Sequence, residues 1–145
     1  MIKTNKRIVI DANILIRAVL GKKVRELIQN NATKVLFFTP YTCYEDALKY
    51  LPSLFEKRKL LPDDALNLLA ELKCLIQIVD SSLYRLYEQE AKNRIAMRDI
   101  NDWSVVAVAL MLDCPIWTED NDFFGTGVAT WTSDRVHLYL DSQFL

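Results

Sequence analysis

A chain of 145 residues, 51% hydrophobic and 26% charged, is long enough to bury one core and too apolar to stay disordered. Three cysteines and a single histidine argue against a disulfide scaffold, a zinc site built on several His or Cys ligands, and a Ser/His/Asp hydrolase, so acid–base or metal chemistry has to rest on carboxylates. The net charge of −1 hides a skew of 17 basic and 11 acidic residues up to Arg98, then one and eight beyond it, which fits solvated helix faces or an acidic site beside a basic surface.

No apolar run approaches the length of a membrane span, and "MIKTNKRIVIDAN" lacks the apolar core of a signal peptide, so the expected location is the cytoplasm. With only three glycines, no repeats and no linker, the chain reads as one domain over residues 1–145. Cys43, Cys74 and Cys114 read as buried reduced thiols, and His137 as a surface or packing residue.

In chain order, "RIVI" (7–10) reads as a short buried strand, followed by an apolar helix from Asn13 to Val19 and a second helix over 24–31. "KVLFF" (34–38) is a strand ended by Thr39 and Pro40. From Thr42 the apolar positions Ala47, Leu48, Leu51 and Leu54 recur at helical steps. Pro62 and its acidic neighbours open a helix over 62–74. "LIQIVD" (75–80) is a strand, helices follow at 82–97 and 101–112, and "PIWT" (115–118) is a strand. "VATWTS" (128–133) reads as an edge strand before a final helix or tail. Short apolar strands alternating with helices predict a mostly parallel sheet covered on both faces, with ligands bound outside the carboxyl ends of the strands.

Acids recur at those ends. Asp11 follows the first strand, Glu45 and Asp46 the second, Asp99 and Asp102 precede the last long helix, and Glu119, Asp120 and Asp122 follow "PIWT". Each has a structural explanation: Asp11 as a helix cap, Thr42 and Glu45 as a capping box, Asp99 or Asp102 as a cap, Asp120 and Asp122 as a turn. Caps alone do not explain why acids outnumber Ser and Asn at these exits. Two carboxylates 4 Å apart repel by about 4 kcal/mol at an effective dielectric near 20, so their convergence calls for a cation. Oxygen-only ligation suits Mg²⁺ or Mn²⁺. Competing motifs fail. "DNDFFG" has Phe124 where an EF-hand needs a ligand, there is no Gly-rich phosphate loop, and Asn13 replaces the general acid of a DxD phosphatase. A response-regulator site would need a Lys that "IWTEDNDF" lacks.

The segments "VIDANILI", "TPYTCYEDAL", "RDINDWSVVAVALMLDCPIWTEDNDFF" and "WTS" resemble the PIN-domain nucleases, notably the VapC-like toxins of bacterial toxin–antitoxin pairs, from Ile8 to about Val136. The resemblance implies a three-layer α/β/α fold with a short, mostly parallel central sheet. It also implies a metal-dependent endoribonuclease acting as the toxin of such a pair. The family's acids fall on Asp11, Glu45, Asp102 and Asp120 as catalytic residues, with Asp11, Asp102, Asp120 and Asp122 toward Mg²⁺ or Mn²⁺. Asn13 and Thr118 match the polar positions beside the site, while Asp99 and Arg98 are candidate supporting residues. Arg17, Lys22 and Lys23 join Arg98 as candidate contacts to the substrate backbone. The implied partners are RNA, a small antitoxin protein and a second copy of the chain, with "YTCYEDALKYLPSLF" (41–55) offering a surface. The alternatives are a nuclease-dead PIN fold that binds RNA or protein, and a small-molecule phosphatase, which Asn13 disfavours.

Overall fold

The computed structural model of the chain describes residues 6–141. Its strands are β1 (Lys6–Ile10), β2 (Val35–Pro40), β3 (Ile76–Val79), β4 (Ile116–Trp117) and β5 (Thr130–Trp131). All neighbouring strands pair in parallel, in the order β3-β2-β1-β4-β5. Alternation along each strand feeds two cores. Ile8 and Ile10 of β1, Phe37 of β2 and Trp117 of β4 enter one; Val9, Phe38 and Ile116 enter the other. Because both faces are buried, the strands read as continuous apolar runs without a polar period.

One face is covered by α1 (Ala12–Leu20), α2 (Lys22–Asn31), α3 (Tyr41–Lys57), α4 (Pro62–Lys73) and α8 (Val136–Leu140). The other carries α5 (Ser81–Tyr84), α6 (Glu88–Ile95) and α7 (Trp103–Leu112). This is the expected three-layer α/β/α arrangement. Helix α7, "WSVVAVALML", is apolar on nearly every side because the sheet lies on one flank and α6 on the other. No helix among the described residues is long and apolar enough to cross a membrane.

Three local expectations need correction. The helix expected over 82–97 is broken by a 3₁₀ turn at Arg85–Tyr87. Its three-residue period stacks Tyr84 and Tyr87 in one line against the α7 core, where Tyr84 meets the Trp103 ring edge-on at 5.6 Å. The capping box at Thr42 does not form. Pro40, with φ −63° and ψ 149°, caps α3 two residues before Thr42, so Thr42 lies inside the first turn and its hydroxyl turns to Ser104 instead, at 2.9 Å. Cys74 is exposed and Cys114 half-buried; only Cys43 is a core thiol. Along α3 the apolar residues divide: Leu51 and Phe55 belong to the core and Tyr44 packs partly against it, while Tyr41 stays exposed.

Candidate active site

The strand order reverses at β1: the chain runs outward through β2 and β3, then returns to place β4 on the other side of β1. Crevices at such reversals sit outside the carboxyl ends of the strands. The residues there are Asp11, directly after β1, and Thr118, directly after β4. Asp11 is 5% exposed and has two roles. Its Oδ1 accepts the Ile14 amide at 2.9 Å, capping α1, and its Oδ2 accepts the Thr118 hydroxyl. The Thr118 oxygen accepts the Asp120 amide at 2.9 Å, and Asp120 Oδ1 accepts the Asp122 amide at 2.9 Å. One chain of hydrogen bonds thus ties the exits of β1 and β4 together.

A cavity of about 260 Å³ opens beside this chain, with Asp11, Asp46, Asp99, Asp102 and Asp120 in its wall. Asp99 caps the 3₁₀ turn before α7 by accepting the Asn101 amide at 3.0 Å, and so aims that turn at the cavity. Asp102 makes no such cap and is left facing the other acids. Carboxylate oxygens of Asp99, Asp102 and Asp122 lie within 4.8 Å of one another. Asp122 also meets Arg98 at 3.8 Å, so this guanidinium stands at the rim, paired with an acid. Asn13 and the hydroxyl pair Thr42–Ser104 complete the polar wall.

Six acids therefore converge, five of which, Asp11, Asp99, Asp102, Asp120 and Asp122, the sequence already singles out. The difference lies on α3. Both Glu45 and Asp46 are exposed, but only Asp46 is part of the cavity wall. Thr42, Cys43 and Asp46 are three and four residues apart and share a helical face, from which Glu45 is turned by about 100°. That spacing is the signal the sequence carries for Asp46, whereas a capping box at Thr42 and the family spacing both favour Glu45. Ser104 and Asn101 were also overlooked, because neither carries charge.

The cavity is electrostatically unfinished. Burial pushes the Asp11 carboxyl up to about 6, against the opposing effect of its two hydrogen bonds, with Asp120 and Glu119 repelling it further. Desolvation likewise raises Asp102 to about 7, reinforced by Asp99, Asp120, Asp11 and Asp122. Among the described residues only Arg98 brings a cation into salt-bridge contact with this group. A cluster of oxygen donors in which burial, and then neighbouring carboxylates, hold Asp11 and Asp102 back from ionising fits a hard divalent cation.

Fold and cleft together define an α/β/α protein with a carboxylate site at the switch point of a parallel sheet. The PIN-domain family description matches residues 9–141, and the chain belongs to that family, a family of nucleases. Solved structures share the fold at low identity. VapBC2 from Rickettsia felis, crystallised bound to a DNA fragment from its promoter, aligns with a TM-score of 0.68 and 13% identity over 87% of this chain and 98% of that one. PAE2754 from Pyrobaculum aerophilum aligns with a TM-score of 0.63 and 14% identity, over 95% and 91% respectively. A search of curated proteins finds no match.

Proposed function

We propose that the protein is a metal-dependent endoribonuclease serving as the toxin of a toxin–antitoxin pair. The observation that carries this reading is the wall of five aspartates at the carboxyl edge of the sheet, in a chain of the PIN-domain family. Asp11, Asp102 and Asp120 would hold the cation, with Asp99 and Asp122 beside them and Asp46 in the place first assigned to Glu45. A bound Mg²⁺ or Mn²⁺ supplies an activated water and offsets charge on the phosphodiester during in-line hydrolysis. The chain's own contribution is positional. Thr118 holds Asp11 and Asp120 in one frame, the α1 cap stops Asp11 from rotating, and the Thr42–Ser104 pair and Asn13 offer polar contacts to substrate or water.

Similarity of fold to VapBC2 supports an antitoxin partner. A guanidinium matches carboxylate geometry bidentately, so an antitoxin Arg entering the cavity would displace the cation. The exposed Tyr41, Leu48 and Tyr50 on α3 suit a homodimer contact. The test is cleavage of a single-stranded RNA with Mg²⁺ or Mn²⁺. Activity should disappear with chelator and in Asp11→Asn; undiminished cleavage by Asp11→Asn would overturn the mechanism. An antitoxin segment should inhibit less as Mg²⁺ rises, and light scattering should give a dimer; metal-independent inhibition or a strict monomer would remove the respective claim.

A further inference from the structure

A second, larger cleft of about 530 Å³ lies next to the acidic cavity, walled in part by Arg17 of α1, Lys23 of α2 and Arg58 at the end of α3. All three side chains are exposed, and none is ion-paired within 4.0 Å among the described residues. Several other cations of the basic half are engaged. Lys22 meets Glu26 at 3.6 Å, Arg25 donates to the carbonyls of Ala18 and Val19, and Arg98 turns to Asp122. The two acids of the cleft are tied down as well. Glu119 accepts the Ser133 amide at 2.6 Å, and Asp134 accepts the Thr132 hydroxyl, with Lys23 helping to hold its carboxyl below the usual range.

Two covalent links join this cleft to the acids. Asn13, in the cavity wall, and Arg17, in the cleft wall, are four residues apart on α1, about 6 Å along one exposed face of the helix. Glu119 in the cleft directly precedes Asp120 in the cavity. Cleft and cavity thus lie side by side on the surface, the one lined by three cations and the other by aspartates. A polyanion cannot occupy the anionic cavity without a cation, and it needs fixed positive charge to hold the rest of its length.

We propose that Arg17, Lys23 and Arg58 form a backbone-phosphate subsite for single-stranded RNA, gripping the strand to one side of the bond placed among the aspartates. This rests on the nuclease reading above. No aromatic side chain lines the cleft to stack a base, so the subsite supplies affinity and register more than sequence preference.

Binding can be separated from cleavage by placing the variants in the Asp11→Asn protein and titrating fluorescein-labelled 12-nucleotide U and A oligomers by anisotropy with Mg²⁺. Each of Arg17→Ala, Lys23→Ala and Arg58→Ala should weaken binding by roughly fivefold, equally for both oligomers. The triple variant should flatten the dependence of log K on log salt by about 2. Arg85→Ala, on the opposite helical layer, should bind as its parent does. An unchanged affinity and salt slope in the triple variant would overturn the subsite, even if the intact protein cuts RNA. Tighter binding of a poly-glutamate peptide than of RNA would overturn it in favour of an acidic protein partner. Binding that depends on the three cations, in a protein that cuts no RNA, would keep the subsite and remove the nuclease reading.

Discussion

Replacing Asp11 by Asn should stabilise the metal-free protein while destroying its proposed activity. Folding moves the Asp11 carboxyl from its ordinary 3.8 to about 6. At 1.36 kcal/mol per unit, burying the charged form therefore costs about 3 kcal/mol at neutral pH. Asn keeps the shape and caps α1 equally well by accepting the Ile14 amide. It leaves the Thr118 hydroxyl proton without its acceptor, a loss of about 1 kcal/mol. The net gain is about 2 kcal/mol, or roughly 6 °C in melting temperature for a domain of this size. The sign depends on pH. Because the folded-state value lies above the unfolded one, the wild-type penalty is small near pH 4, grows as pH rises from about 4 to 6, and is complete above about pH 7. Thermal melts in chelator at pH 4 and pH 8 measure this directly, and Mg²⁺ should then raise the wild-type midpoint and leave the variant behind. A gain of the same size at pH 4 would refute the argument, since it would then come from packing rather than from a buried charge.

Asp46→Asn should lower RNA cleavage at least tenfold, a loss of about 1.4 kcal/mol of transition-state stabilisation, while Glu45→Gln stays within about twofold; steady-state kinetics on the pair decides which α3 acid belongs to the site. Asp120→Asn should be more damaging than Asp122→Asn, because Asp120 shares the Thr118 frame with Asp11 whereas Asp122 leans on Arg98; the reverse order would move the centre of the site toward Asp99 and Asp122. With Asp11 raised to about 6 and Asp102 to about 7, protons compete with metal. The Mg²⁺ concentration for half-maximal activity should rise steeply as pH falls from 8 to 6, and a flat profile would contradict the assignment of these two acids.

Much of the architecture was legible in the chain itself. "RIVI", "VLFF" and "PIW" are too short and too continuously apolar to be amphipathic elements, and only strands buried on both faces suit such runs. An acid directly after β1 announced the site for the same reason: a carboxylate at the end of a buried strand is expensive unless the crevice beyond it has a use for charge. What the chain could not express was rotation and distance. Glu45 and Asp46 are equally acidic neighbours, and only the phase of α3, fixed by Pro40 and by the burial of Cys43, Ala47 and Leu51, turns Asp46 to the cavity. Thr42 and Ser104 are 62 residues apart and meet because α3 and α7 approach the carboxyl edge of the sheet from opposite layers. Arg58 likewise gained meaning only when the end of α3 came to rest beside Arg17 and Lys23. Periodicity along a chain records which face of an element is buried, whereas the packing of elements against the sheet decides which exposed side chains share a cleft.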